Sequence, residues 1–375
     1  MARYDNNLFL SETDPVGGFS TVVAPRVNLQ LDERLIRSQI RYQAAAEWYR
    51  QQADLNRFTH QGEIEAALKG LKRWVRRLDL RLGGSYTRMT ELPGTSLSGQ
   101  AVSRGGVLFP ATIESTEWRG SVIAGYAWSR RLESSLEYTY VATYFEEVET
   151  SLVTSTAPTY DSIVHDLQLG LGYRRSTRTT LTLRPAVSTT RTVPSGTAFA
   201  ANTDSRTAAR LTAGVEYSSA SSLRFRGEAG VLAIEDDQTR LALNLDLVRN
   251  WSDTQFRVRA QQDSGIGGGV TDTVSVTRSL TADALRGMGR HTQANVQLGI
   301  VGNLAAPTLG TDASVRVVTF MAGAGVEHDL TRWLTARLDY RSLTQRSSGI
   351  PNVGGQRHLF LVTLTATAPQ WQSRP

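Results

Sequence analysis

Apolar and polar residues alternate along most of this chain with a period of two. From Trp118 every second residue reads Trp118, Gly120, Val122, Ala124, Tyr126, Trp128, with Arg119, Ser121, Ile123, Gly125 and Ala127 between them. After Ser129, Arg130 and Arg131 the pattern resumes, with Leu132, Leu136, Tyr138, Tyr140 and Tyr144 set against Glu133, Ser135, Glu137, Thr139 and Thr143. Successive side chains of a strand point to opposite faces, so this stretch predicts a hairpin with one apolar face. Its arms are longer than the usual soluble strand of about five or six residues. They match the roughly nine to eleven tilted residues with which a strand crosses a bilayer. An apolar row ending in Trp and Tyr also suits a lipid-facing surface with interfacial aromatics.

Comparable runs recur at 19–31, 36–48, 58–68, 78–86, 167–173, 181–189, 209–217, 223–233, 241–247, 254–260, 270–276, 292–300, 318–326, 334–340 and 358–366. Short polar connections alternate with longer ones at 89–115, 145–161, 191–205, 264–269, 302–312 and 343–356. Short turns on one side and long loops on the other are the arrangement of outer-membrane barrels, whose short side is periplasmic. Run 19–31 then starts outside and runs inward. A chain with both ends in the periplasm needs one more strand before it, and 3–10 is the candidate. The pattern therefore predicts an all-β protein with one domain over 1–375. That domain is a transmembrane antiparallel barrel of about 18 strands, with 16 as the alternative, an even number as such barrels require. Two local features compete. In 63–78, Ile64, Leu68, Leu71, Val75 and Leu78 stand at helical spacing, which suits an amphipathic helix. Pro25 and Pro185 fall inside runs, where a missing N–H costs a ladder bond.

Composition agrees with a barrel and excludes other classes. Hydrophobic residues make up 40% of 375, too few for a helical membrane protein, and no uncharged apolar run of about eighteen residues occurs. Only alternate residues of a barrel strand face lipid, so a barrel escapes that test. Disulfides and thiolate metal sites are excluded because there is no cysteine. The net charge of +6 comes from arginine, since Lys69 and Lys72 are the only lysines. Those charges are dispersed and interleaved with acids rather than gathered on one arm, which argues against nucleic acid. No signal peptide is visible. Met1-Ala2-Arg3 opens directly in polar sequence, so the expectation is a mature outer-membrane chain renumbered from a new Met.

The polar rows carry the candidate chemistry. Arg37, Arg41, Arg81, Arg119, Glu133, Glu137, Arg210, Arg224, Arg226, Glu228, Asp246, Arg257, Arg259, Arg337, Asp339 and Arg341 all stand opposite apolar rows. In a soluble sheet these would be a solvated face. The apolar rows would then need a covering layer along the whole chain, and none is evident. With lipid covering the apolar rows, the charges line a lumen; the reverse would put guanidinium groups into hydrocarbon at about 2–4 kcal/mol each. Trp48, Tyr86, Trp118, Tyr126, Trp128, Tyr140, Tyr144, Tyr173, Tyr217 and Tyr340 are the girdle candidates. Barrels of 16–18 strands leave an aqueous channel, and loop 89–115 is long enough to fold inward as a constriction.

The expected function is a porin-like channel for polar or anionic solutes, since the arginine fork suits carboxylate, phosphate or sulfate. One alternative is a barrel scaffold that encloses or docks a periplasmic or lipoprotein partner. The other is an outer-membrane hydrolase built on His60, His165, His291, His328 or His358. Neither a Gly-flanked nucleophile nor a metal-ligand spacing supports catalysis, so the expectation is no enzyme activity, no cofactor and no metal. The expected partners are outer-membrane lipid and lipopolysaccharide.

The opening Tyr4-Asp5-Asn6-Asn7-Leu8-Phe9-Leu10-Ser11, then Asp14, then Thr21-Val22-Val23-Ala24-Pro25, resembles the start of a broad group of Gram-negative outer-membrane β-barrel proteins. Members of that group are often found with exopolysaccharide or exosortase loci. The resemblance covers about the first thirty residues. It implies an outer-membrane barrel serving polysaccharide export, with a polysaccharide or a periplasmic export component as partner, and it implies no catalytic residue.

Overall fold

The computed structural model describes residues 1–8, 15–91, 113–147, 160–194, 204–219, 222–235, 239–266, 274–305, 315–348 and 354–367. Within them lie nineteen strands: β1 (Ala2–Asp5), β2 (Gly18–Val23), β3 (Arg26–Asp32), β4 (Arg37–Tyr49), β5 (Arg57–Ala67), β6 (Leu78–Glu91), β7 (Ile113–Ala127), β8 (Leu132–Glu147), β9 (Tyr160–Arg174), β10 (Thr179–Pro194), β11 (Asp204–Ser218), β12 (Leu223–Ile234), β13 (Arg240–Trp251), β14 (Thr254–Ile266), β15 (Val274–Gly287), β16 (Thr292–Ala305), β17 (Val315–Asp329), β18 (Leu334–Ser348) and β19 (Gly354–Ala366). They form one antiparallel sheet in sequence order, and β1 closes it by pairing with both β19 and β2.

The nineteen segments make eighteen wall strands. β2 and β3 both pair with β4 in one continuous register, from Val23 opposite Ala46 to Arg26 opposite Gln43. They are two halves of a strand interrupted at Ala24 and Pro25. The ladder bridges the break, because the Ala44 amide donates to the Pro25 carbonyl at 3.2 Å. Pro185 acts more locally. It leaves a gap in the pairing of β10 with β9 between Leu183–Leu171 and Ala186–Gln168, with the register unchanged.

Two sequence expectations are corrected and one local competition is decided. The first strand is Ala2–Asp5 rather than 3–10. The stretch 63–78 is not a helix: β5 continues to Ala67, a 3-10 turn spans Lys69–Arg73, and β6 begins at Leu78. Strand neighbours β4 and β6 supply the backbone partners that decide the outcome over helical spacing. The run expected at 270–276 is strand β15 at Val274–Gly287. Strands also reach further than expected into the long connections, so the proposed constricting loop narrows to 92–112, which lies outside the described residues.

Alternate residues of a closed barrel face outward and inward. The outward row holds the exposed apolar side chains, such as Leu29 (59% exposed), Leu298 (55%) and Leu338 (57%). Strands rising about 3.4 Å per residue and tilted about 40° gain roughly 2.6 Å of height per residue. Tyr126, Trp128, Tyr173 and Tyr217 lie within a few residues of the short turns, whereas Tyr86 and Trp118 stand eight and nine residues, and Trp48 and Tyr144 eleven and twelve residues, above the turn-side ends of their strands. The stretch between these levels is therefore roughly 20 to 30 Å high, which brackets the apolar band of about 25 Å in outer-membrane barrels.

Candidate functional site

All sixteen charged residues expected to line a lumen fall on the face opposite the exposed apolar row. All ten expected girdle aromatics fall on the outward face, with Tyr140 and Tyr340 partway up the band. What alternation could not reveal is which inward charges neutralise one another.

Most do so, either across neighbouring strands or two residues apart on one strand. On β13 and β14 the Arg257 guanidinium grips Asp246 with both prongs, Nε to Oδ1 at 2.9 Å and Nη2 to Oδ2 at 2.5 Å. Arg337 does the same to Asp339 at 2.7 and 2.8 Å, with Glu327 at 3.5 Å. Arg41 meets Glu63 at 2.7 Å, Arg37 meets Asp32 at 3.0 Å, and Arg81 meets Asp79 at 2.9 Å. Arg226 holds Glu228 at 2.9 Å, and Glu216 lies 3.6 Å away.

Glu228 is also reached by Arg184 from β10, two strands away, so that ion pair crosses over β11. The crossing point is Gly214, opposite Thr182 on one side and Glu228 on the other. A Cβ there would stand 2.6 Å from the Glu228 Cγ and 2.9 Å from the Thr182 hydroxyl oxygen. The glycine leaves the space in which the pair forms.

The other seven of the sixteen form no ion pair among the described residues: Arg119, Arg210, Arg224, Arg259 and Arg341 on the basic side, Glu133 and Glu137 on the acidic side, to which Asp283, inward on β15 opposite Arg257, adds a third unpaired carboxylate. Arg210 has only a 3.5 Å approach to the Gln168 side-chain oxygen. Five unpaired guanidinium groups against three unpaired carboxylates, Glu133, Glu137 and Asp283, leave the uncompensated charge of this set positive. Arg341 borders an inner-wall recess of about 650 Å³ that also touches Arg3, Glu47, Arg57, Arg337 and Asp339.

Sequence reasoning missed one cluster, at the closure of the barrel. Asp5 accepts from Arg3 at 3.0 Å, from the Arg357 Nε at 2.8 Å and from the Asn7 amide at 3.1 Å. Glu47 accepts from Arg3 at 3.2 Å, from Arg57 at 2.5 Å and from the Ser20 hydroxyl at 2.6 Å. Asp5 and Arg357 are each 1% exposed. The Asn6 side-chain oxygen accepts from the His358 amide at 2.6 Å, and the Asn7 side chain donates to the Gln356 carbonyl at 3.0 Å. The alternation of Arg3 and Asp5 around outward Tyr4 was the available signal, but their partner on β19 is invisible until the ends of the sheet meet.

The histidines are placed away from the lumen charges. His60, His165 and His358 are outward, each hydrogen-bonded through Nδ1 to a tyrosine hydroxyl, those of Tyr42 (2.7 Å), Tyr138 (2.8 Å) and Tyr340 (2.8 Å). His328 is bonded to the Thr292 hydroxyl at 2.8 Å. Among the described residues no group of three or more His, Asp or Glu could hold a metal.

Neither a protein-family model nor a curated protein sequence matches the chain. In fold it is similar to the FrpB iron transporter from Neisseria meningitidis. For the F5-1 variant in its apoprotein form the TM-score is 0.54, with 9% identity over 96% of this chain and 65% of that one. For the F3-3 variant it is 0.50, with 10% identity over 92% and 62%. The siderophore receptor PirA from Pseudomonas aeruginosa gives 0.46, with 7% identity over 98% and 79%. This chain thus spans a little under two thirds of the FrpB length. At such identities the likeness is one of fold, and the fold is that of outer-membrane β-barrels.

Proposed function

We propose that the chain is an outer-membrane channel whose inner wall favours polar, anionic solutes. The observation that carries this reading is the unpaired inward set of Arg119, Arg210, Arg224, Arg259 and Arg341, spread over β7, β11, β12, β14 and β18. Paired charges present little net field to a passing ion. Unpaired guanidinium groups on a wet wall attract carboxylate, phosphate or sulfate and set selectivity without chemistry. An eighteen-strand wall is wide enough for an aqueous passage. Export of an anionic polysaccharide is the specific version of this reading, supported by the likeness of residues 4–25 to barrels found with exopolysaccharide loci.

The test is single-channel recording of the purified chain in planar bilayers under a salt gradient. Discrete conductance steps with a reversal potential favouring anions are expected. Absence of discrete steps, or a cation preference, overturns the reading. If the barrel instead holds a periplasmic partner, native purification would return a stoichiometric second chain and silent bilayers.

A further inference from the structure

We infer that the outer wall at β15–β18 carries a binding site for a phosphorylated, multiply acylated glycolipid of the extracellular leaflet. Arg278, Gly302, Val318 and Arg346 form one row across these four strands, each opposite the next in register. Arg316 lies two residues beyond Val318 on β17, diagonal to Arg346. All three arginines are outward and exposed, and none forms an ion pair among the described residues. By contrast, Arg88, the outward arginine at the same level on β6, is paired with Glu114. Strands lie about 4.8 Å apart, so the backbones of Arg278 and Arg346 are separated by roughly 14 Å. Extended side chains from both ends can converge on one group between them. Gly302 lies in that gap, and nothing stands within 4 Å of where its Cβ would be.

Directly below, toward the short turns, an apolar groove of about 420 Å³ runs along the outer wall. Leu280, Leu298, Ile300 and Phe320 form its sides, and Ala282 and Ala322 leave its floor low. The order from top to bottom is therefore an uncompensated cationic cradle at the upper edge of the apolar band, then a slot within the band. An anionic amphiphile has the same order, with phosphates at the interface and acyl chains in hydrocarbon. Guanidinium pairs with phosphate through two parallel hydrogen bonds. A soluble anion would explain the arginines but not the slot. Bulk lipid would explain the slot but not three unpaired arginines side by side. The inference stands whether or not the barrel conducts.

The test uses the full chain in detergent and native mass spectrometry with hexa-acylated diphosphoryl lipid A as probe. Phosphatidylglycerol and inorganic phosphate are titrated in parallel. One retained lipid A per chain is expected, bound at least tenfold more weakly by the triple variant Arg278→Gln, Arg316→Gln, Arg346→Gln. Gly302→Trp, which keeps every charge and fills the gap, should weaken it likewise, while Arg191→Gln on the outward face of β10 should not. Equal retention by the triple variant and by Gly302→Trp overturns the inference. So does equal affinity for phosphatidylglycerol or for inorganic phosphate alone, or a dimer that excludes lipid from this face. Should the triple variant fail to show heat-modifiable migration, Gly302→Trp and the single Arg346→Gln decide the matter.

Discussion

Replacing Asp5 with alanine tests whether the barrel is locked where its two ends meet. Asp5 is the only ion-pair partner of Arg357 among the described residues, and both side chains are 1% exposed. Arg3 would keep Glu47 at 3.2 Å, but Arg357 would be left as a buried, uncompensated charge. Removing one partner of such a pair costs about 3–5 kcal/mol. The matched control is Glu63→Ala, which breaks the Arg41–Glu63 pair at 2.7 Å, where the side chains are 42% and 35% exposed. Solvent screening reduces that loss to about 0–1 kcal/mol. The gap of about 3 kcal/mol is more than a hundredfold in the folding equilibrium, at about 1.4 kcal/mol per tenfold.

The assay is urea unfolding of the chain reconstituted in lipid, followed by tryptophan fluorescence, with heat-modifiable migration as a check that each variant folds. If Asp5→Ala costs no more than about 1 kcal/mol beyond Glu63→Ala, the closure network is solvated and the reasoning fails. A second arm separates charge from packing. Asp5→Leu combined with Arg357→Met removes both charges and should recover most of the loss, because replacing a whole buried pair by apolar groups is often neutral.

Other expectations follow from the same geometry. Arg259→Gln should move the reversal potential toward cations, whereas removing the bidentate pair with Arg257→Gln and Asp246→Asn together should leave it in place, since the pair contributes no net charge. Gly214→Val should destabilise the barrel by about 1–3 kcal/mol through overpacking, because its Cβ would meet Glu228 and the backbone oxygen of Gly227 at 2.6 Å. Gly120→Ala, where a Cβ meets nothing within 4 Å, should be close to neutral; equal losses at the two glycines would sink the crossing-pair account. On the outward face of β13, Leu245→Arg in the middle of the band should cost about 2–4 kcal/mol and Leu241→Arg near its upper edge about 0–1 kcal/mol. Equal costs measured by urea unfolding would displace the band.

The wall was legible in the sequence wherever the outward row had to be apolar and the inward row had to be wet. Leu29, Leu31 and Val27 opposite Asn28 and Gln30 leave little choice of period or face. Legibility fails where the contrast weakens. On β15 the outward row is Arg278, Leu280, Ala282, Ala284 and Arg286, and small alanines beside Ser279, Thr281 and Asp283 hide the alternation. It fails again at 63–78, where helix-forming residues occupy the end of one strand, a 3-10 turn and the start of the next. Backbone partners outweigh local propensity there. Asp5 and Arg357 are 352 residues apart in the chain, and the Arg184–Glu228 pair spans a whole intervening strand. Such contacts depend on the closed sheet rather than on any local pattern.

The preference for arginine over lysine then has a structural explanation before any functional one. A planar fork can hold a carboxylate on the neighbouring strand with two bonds, as Arg257 holds Asp246, or one from its own strand, as Arg337 holds Asp339. A lysine ammonium makes a point contact and loses that registration. Both lysines, Lys69 and Lys72, sit in the 3-10 turn at the short-turn end and pair with Asp32 and Asp79 beside it. Part of the chain's basic charge is thus spent on holding the wall in register and is cancelled locally. Among the arginines without an ion pair, two groups stand out by their place in the wall: Arg119, Arg210, Arg224, Arg259 and Arg341 on the inward face, and Arg278, Arg316 and Arg346 side by side on the outward face. A net charge of +6 is therefore a poor guide to partners, and selectivity should follow the unpaired residues.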